Sequence, residues 1–147
     1  MVELIWPVVP YRGLRGVDRK GDGSFGSVRS QNGKKYPHKG LDILTEPGDV
    51  IVAPISGKIA HIGKAYSTGD LGSIHIMSGT MRVKLLYVEC SRYIGSDVVA
   101  GATIGLAQDV AGWHGGGMEN HVHLEVYDDL RLVDPSDWLI NPNERPR

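Results

Sequence analysis

Short apolar segments separated by glycine and proline run through the whole sequence. Many of their residues are β-branched, and apolar and polar positions alternate with the period of two that is typical of half-buried strands. No stretch keeps the 3.6-residue period of an amphipathic helix. The pattern predicts a mainly β protein with an antiparallel sheet and seven strands, at residues 41–45, 49–53, 57–62, 72–77, 81–88, 103–106 and 122–127.

The segments outside these strands carry turn and loop signals. Residues 12–36 are rich in glycine and in polar and basic residues, which predicts a long surface loop. Asp134 precedes Pro135, as a helix N-cap precedes a proline at the first helical position, so residues 135–139 are predicted to form one short helical turn. Residues 141–147 are expected to form a frayed tail. The length of 147 residues predicts a single domain.

Composition narrows the classes of function. Sixteen Lys and Arg against seventeen Asp and Glu give a formal net charge of -1, so the chain lacks the positive field that draws proteins to nucleic acid. The single cysteine, Cys90, excludes an internal disulfide. The first residues do not form a signal peptide, and no apolar run approaches the roughly 18 residues of a membrane helix. We therefore expect a soluble protein without membrane insertion.

Histidines recur in two compact motifs. In His121-Val122-His123 the two histidines are two residues apart, so on a strand they point to the same face with Cα atoms about 6.5 Å apart. One of them is then placed to bind a metal ion while the other faces a bound water. His61, His75 and His114 stand outside these motifs and are interpreted as ordinary structural or surface residues.

The second motif is His38-Lys39-Gly40-Leu41-Asp42. Four residues of ideal strand would hold the Cα atoms of His38 and Asp42 about 13 Å apart, which is too far for a shared ion, so the chain must bend. Gly40 is where it can bend, through a bulge or a positive φ. Two imidazoles, one carboxylate and an open position for water are the ligand set of a catalytic zinc site.

Taken in order, the motifs resemble the lysostaphin and LytM family of zinc peptidases, which cut the peptide cross-links of bacterial cell walls. The resemblance spans about residues 23–139. It rests on four blocks, namely His38-x-Gly40-x-Asp42, Val52-Ala53-Pro54 with Gly57, the glycine-spaced segment from Gly95 to Gly105, and His121-x-His123-Leu124-Glu125.

The resemblance implies a compact lysostaphin-like domain of the duplicated hybrid motif type that binds one Zn²⁺ ion. It implies that His38, Asp42 and His123 are the zinc ligands and that His121 is a catalytic histidine beside the metal's water. Glu125 and Asp134 are candidates for outer hydrogen bonds to a ligand histidine.

One departure from the family concerns catalysis. Active members carry a further histidine in a strand that here reads Arg82 to Cys90, and this stretch contains no histidine. Counting back from Gly95 places Tyr87 at that position, whereas aligning tyrosine with tyrosine would place Glu89 there. We favour Tyr87. A similar replacement is found in leukocyte cell-derived chemotaxin, a variant of the family regarded as a zinc binder without peptidase activity.

The expected function is hydrolysis of peptidoglycan peptides by a zinc metallopeptidase. Tyr87 is a candidate to donate a hydrogen bond to the oxyanion of the tetrahedral intermediate. The alternatives are a zinc-binding module that holds a peptide or glycan without cleaving it, and a structural part of a larger assembly such as a virion. Without an export signal, the protein would reach the cell wall by lysis, on a phage particle or through a partner. The pattern leaves the oligomeric state open.

Overall fold

The computed structural model describes residues 2–140, and the predicted tail at residues 141–147 lies outside them. The backbone forms short strands, one turn of α-helix and one 3-10 turn. In chain order the strands are β1 (Leu4–Ile5), β2 (Val8–Val9), β3 (Val17–Asp18), β4 (Gly21–Asp22), β5 (Val28–Gln31), β6 (Lys34–Pro37), β7 (Leu41–Leu44), β8 (Val50–Val52), β9 (Gly57–Lys64), β10 (Gly72–Ser78), β11 (Met81–Leu86), β12 (Val88–Cys90), β13 (Asp97–Val98), β14 (Thr103–Ala107), β15 (His121–Asp128), β16 (Arg131–Val133) and β17 (Leu139–Ile140). The helix α1 spans Val110–Trp113, and the 3-10 turn spans Pro135–Asp137.

A seven-stranded antiparallel sheet forms the centre of the structure. Its strands lie in the order β13, β9, β10, β11, β15 and β16, and β7 pairs with β15 as well. β7 pairs with the first half of β15 and β16 with the second half, so both lie along the same edge of β15. This sheet carries the histidine motif of β15 and brings β7 beside it.

A four-stranded sheet, in the order β12, β14, β8 and β2, packs with the central sheet around one apolar cluster. Strand β11 shows why the sequence folds this way. Its residues Met81, Val83 and Leu85 are buried, whereas Arg82 and Lys84 alternate with them on the opposite face. Each fully buried aliphatic side chain stabilises the fold by about 1.5–3 kcal/mol. The apolar face therefore holds the core, and the polar face of the sheet is left for function.

The mainly β fold class and the seven predicted strands are confirmed. The strand predicted at residues 81–88 is interrupted at Tyr87, which has φ 73° and separates β11 from β12. The loop predicted at residues 12–36 contains two small hairpins, β3 with β4 and β5 with β6. The helical turn after Asp134 is present but shorter than predicted, and α1 was not predicted because four residues are too few to show a period.

Candidate metal centre

Strand pairing places Asp42 beside His123. In the antiparallel pair of β7 and β15 these two residues are direct partners, and His121 lies two residues earlier on the same face. Asp42 Oδ1 is 3.1 Å from His123 Nδ1, and Asp42 Oδ2 is 3.4 Å from His121 Nε2. All three side chains are buried.

His38 reaches the same point from the segment that follows β6. Its Nε2 is 3.0 Å from His123 Nδ1 and 3.3 Å from Asp42 Oδ1. The predicted bend at Gly40 is present, but of the two predicted reasons for glycine, a bulge or a positive φ, the positive φ is wrong. A Cβ atom there would lie 2.5 Å from the carbonyl oxygen of Leu124 and 2.6 Å from His123 Nε2. Only glycine lets His38 and Asp42 close around His123.

The outer ring nitrogens of both histidines are held by acceptors. His38 Nδ1 is 3.0 Å from the carbonyl oxygen of Ser24, and His123 Nε2 is 2.7 Å from the carboxylate of Glu125. Each of these nitrogens must carry the proton, since a carbonyl and a carboxylate can only accept. In the neutral tautomers, His38 Nε2 and His123 Nδ1 therefore turn lone pairs toward each other and toward Asp42.

Three acceptor atoms that face one another at 3.0–3.3 Å repel unless a cation lies between them. Burial lowers the pKa of His123, but its hydrogen bonds to Asp42 and Glu125 outweigh this and raise the pKa above its ordinary value. The cluster therefore attracts positive charge, whether a proton or a metal ion. Because each residue offers one ligand atom to a common centre, His38, Asp42 and His123 could hold a metal ion.

Arg15 completes the charge balance around Asp42. Its guanidinium group donates to Asp42 Oδ2 at 2.8 Å and to both oxygens of Asp18. Burial would raise the pKa of Asp42, yet His123 and His38, which donate to it whenever the facing ring nitrogen carries a proton, hold that pKa far below the usual range. Arg15 lies in the predicted loop, and sequence reasoning missed it because nothing in the loop's pattern indicates a buried residue.

His121 lies beside the cluster of His38, Asp42 and His123, and only its Nδ1 is bonded to the backbone. Its Nδ1 donates to the carbonyl oxygen of Glu119 at 2.8 Å, which leaves the lone pair of Nε2 directed toward Asp42 Oδ2. Burial lowers the pKa of His121 below its ordinary value. The side chain is therefore held as a neutral imidazole, the form that can accept a proton.

Tyr87 lies against His121, with ring centroids 5.3 Å apart in an edge-to-face arrangement. Its left-handed backbone ends β11 and turns its side chain into the same cleft. Burial raises the pKa of Tyr87, so the phenol stays protonated and able to donate. Glu89, the alternative from the sequence, lies exposed in β12 opposite Leu106.

A hydrogen-bonded chain that the sequence did not reveal extends from Tyr87. Its hydroxyl is 2.8 Å from that of Tyr66, and the Tyr66 hydroxyl is 3.0 Å from His114 Nε2. Sequence reasoning took His114 for an ordinary residue, because only the tertiary fold brings the segment after α1 to Tyr66. Of the two candidate outer residues, Glu125 contacts His123, whereas Asp134 accepts hydrogen bonds from Ser136 and caps the 3-10 turn.

These residues line one cleft of about 370 Å³. Arg15, Lys20, Arg29 and Lys39 lie around it, so positive charge surrounds the buried carboxylates of Asp42 and Glu125. The arrangement offers a cation site, a neutral imidazole and a phenol donor on the wall of one open cleft. In residues 2–140, no helix is long and apolar enough to cross a membrane.

Sequence comparison finds relatives of this chain among known proteins. Chicken Myeloid protein 1 is 32% identical over 129 residues, a match that covers 84% of this chain and 39% of that protein. Bovine Leukocyte cell-derived chemotaxin-2 is 28% identical over 128 residues and is matched over 79% of its length, against 86% of this chain. This chain thus spans well under half of the chicken protein and most of the bovine one.

The fold is shared with a solved peptidase. The catalytic domain of lysostaphin from Staphylococcus simulans superposes with a TM-score of 0.58 at 24% identity, over 82% of this chain and 90% of that domain. The sequence profile described as Peptidase family M23 matches residues 36–135, which include both histidine motifs. The resemblance to lysostaphin-type peptidases inferred from the motifs is confirmed, and the chain belongs to peptidase family M23.

Proposed function

We propose that this chain is a zinc metallopeptidase domain that hydrolyses peptide cross-links of bacterial peptidoglycan. The observation that carries the proposal is the convergence of His38 Nε2, Asp42 Oδ1 and His123 Nδ1, with the outer nitrogen of each imidazole held by an acceptor. A tetrahedral zinc ion with bonds of about 2.1 Å would hold its ligands about 3.4 Å apart, close to the distances found here.

The donor set favours zinc over other ions. Two imidazoles and one carboxylate suit zinc, whereas calcium and magnesium prefer more oxygen ligands. Glu125 holds the ring of His123 in the tautomer that a metal requires, as carboxylates do beside many zinc-binding histidines. When bound, zinc would supply Lewis-acid activation of a water molecule and of the scissile carbonyl group.

His121 is proposed as the general base. Its Nε2 carries a lone pair on the cleft side and lies 3.4 Å from Asp42 Oδ2, next to the proposed metal position. Because its pKa is lowered, the imidazole is neutral at pH 7 and ready to take a proton from the attacking water. Asp42 would stabilise the imidazolium ion that results.

Tyr87 is proposed to donate a hydrogen bond to the oxyanion of the tetrahedral intermediate. His114 Nε2 can donate to Tyr66, and Tyr66 can donate to Tyr87, which leaves the hydroxyl proton of Tyr87 for the substrate. Loss of one such donor costs on the order of 100-fold in rate. This hydrogen-bonded chain would take the place of the histidine that active relatives carry.

A second candidate function is a zinc-binding module that holds a peptide or glycan, or a structural part of a larger assembly, without hydrolysis. The absence of a histidine at Tyr87 favours it, because a phenol whose pKa is raised cannot exchange a proton as readily as an imidazole near pH 7. In that case the metal would act on stability, through the linkage between binding and folding.

Amine release separates the two candidates. The zinc-loaded protein is incubated with purified cross-linked peptidoglycan and with pentaglycine, beside a His123→Ala variant and a His61→Ala control that removes an exposed histidine of β9. Release by the wild type and by His61→Ala, but not by His123→Ala, supports the peptidase. No release by any of the three, with one zinc bound to the wild type, supports the binding module. A wild type that binds no zinc refutes both the peptidase and the zinc-binding module.

A further inference from the structure

A second cavity of about 310 Å³ lies on the polar face of the central sheet. It shares strands β11 and β15 with the cleft that contains the candidate metal centre, here called the metal cleft. Its walls include the basic side chains of His75, Arg82 and Lys84, which come from the neighbouring strands β10 and β11. The phenol of Tyr127 on β15 forms part of the same wall. Neither the proposed hydrolysis nor the packing of the core uses this cavity.

The cavity lies farther along the same face of β11 as the metal cleft. Leu86 lines the cleft and pairs with His123, whereas Lys84 and Arg82 follow at alternate positions on the same face. At about 3.4 Å per residue, their Cα atoms lie about 7 Å and about 14 Å from that of Leu86. The hydroxyl of Tyr127 donates to Glu125 at 2.6 Å, which connects the two cavities on β15 as well.

Within residues 2–140, no acidic side chain forms an ion pair with the positive charges in this cavity. No Asp or Glu belongs to its lining, and in residues 2–140 neither Arg82 nor Lys84 forms a salt bridge. The contact of Arg82 Nε at 3.3 Å is with the sulfur of Met77. Glu125 is the nearest partner of Lys84 by register, but its two oxygens already accept from His123 and Tyr127.

The pKa of His75 is lowered in part by the same positive charges. Burial and then the charge of Lys84 lower the pKa of His75 to about 4. The whole chain has a net charge of -1, yet Arg82 and Lys84 give this cavity a local excess of positive charge. Cavities lined by one sign of charge concentrate ligands of the opposite sign.

We propose that the cavity lined by Arg82 and Lys84 binds a carboxylate group of the same extended peptide that occupies the metal cleft. Arg82 offers a fork that can grip a carboxylate with two hydrogen bonds, and Lys84 adds a point charge. An extended peptide advances about 3.4 Å per residue, so the carboxylate lies about two to four residues from the bond at the metal centre. The inference rests on the proposed function, because it takes the occupant of the cleft to be a peptide.

The first test does not depend on hydrolysis or on metal. Glutarate is titrated into the metal-free protein at low salt, and the imidazole ring proton signals of His75 are followed by NMR. We expect a saturable shift whose affinity falls at least tenfold in an Arg82→Gln/Lys84→Gln double variant and is unchanged in Lys64→Gln, which removes an exposed lysine of β9 outside the cavity. No saturable shift, or an equal shift in the double variant, overturns the anion site.

The second test uses the zinc-loaded protein and two glycine-rich peptides that differ only in Glu or Gln placed three residues from the central bond. The Glu peptide should bind at least tenfold more tightly to the wild type and to Lys64→Gln, and the two peptides should bind alike to the double variant. Equal binding to the wild type overturns the inference and leaves the proposed function standing. If glutarate binds but neither peptide does, the proposed function fails together with the shared ligand.

Discussion

The guanidinium group of Arg15 lies 2.8 Å from Oδ2 of Asp42, and both side chains are only 2% exposed. The two oxygens of the Asp42 carboxylate have different partners. Oδ2 accepts from Arg15, whereas Oδ1 lies beside His38 and His123. Charges buried this deeply cost several kcal/mol unless they are paired. Arg15 therefore holds Asp42 in the fold whether or not a metal ion is bound.

Removal of Arg15 should destabilise the metal-free protein more than the zinc-bound protein. An Arg15→Gln variant leaves Asp42 and Asp18 without their buried partner, and we expect it to lose about 3 kcal/mol of unfolding free energy in urea. Zinc should recover part of this loss, because the ion supplies positive charge at the other oxygen of Asp42. The matched control is Arg29→Gln, whose guanidinium lies 3.9 Å from the same carboxylate, with an expected loss below about 1 kcal/mol. Equal losses in the two variants would contradict the role assigned to Arg15.

A Gly40→Ala substitution should disrupt the proposed metal centre without replacing any of the proposed ligand residues. The new methyl group would lie 2.6 Å from His123 Nε2 and 2.5 Å from a backbone oxygen of β15, so β7 and β15 must move apart. We expect a loss of about 2–3 kcal/mol in stability and at least tenfold weaker zinc binding in a competition assay with a chelator. Gly16→Ala is the control, since nothing lies within 4 Å of the added atom. Unchanged zinc affinity in Gly40→Ala would contradict the claim that His38, Asp42 and His123 can converge only when residue 40 is glycine.

Local patterns in the sequence were sufficient to place some residues of the site but not others. His121 and His123 share a face because strand periodicity requires it. His38 and Asp42 could bind one ion only if the chain bent between them, and Gly40 was the residue at which it could bend. Tyr87 could be placed in the chain, but neither its left-handed backbone nor its packing against His121 and Tyr66 could be predicted. The tertiary fold decides such positions.

Arg15 and His114 show the same limit. Arg15 comes from a segment whose glycines and charges are typical of an exposed loop, yet it is buried by ion pairs with Asp18 and Asp42. His114 meets Tyr66 across 48 residues of sequence. A contact at such a separation leaves no period or spacing that a single sequence could reveal, whereas alternation along a strand is visible within six residues.

If the protein is a peptidase, Tyr87→Phe should lower its turnover and leave its zinc content unchanged. The variant keeps the ring against His121 and removes the hydroxyl proposed to bind the oxyanion, so kcat should fall about 100-fold with little change in KM. Tyr66→Phe should have a smaller effect, because it removes only the group that orients Tyr87. A rate that stays at the wild-type value in Tyr87→Phe, measured by amine release from peptidoglycan, would remove Tyr87 from the mechanism.

His75 should make folding stability depend on pH between about 6.5 and 4. Burial and the charges of Lys84, His61 and Arg82 lower its pKa to about 4 from an ordinary value of 6.5, although Glu125 opposes the shift. As the pH falls through this range, the unfolded chain takes up the proton before the folded one, so the neutral imidazole's contribution is complete above pH 6.5 and is lost toward pH 4. For a half-buried group screened by solvent, the loss should be about 1–2 kcal/mol. Urea unfolding of wild type and His75→Gln at pH 7, 5.5 and 4 measures it as the difference between the two curves. Parallel curves would mean that burial and the nearby positive charges do not lower the pKa of His75.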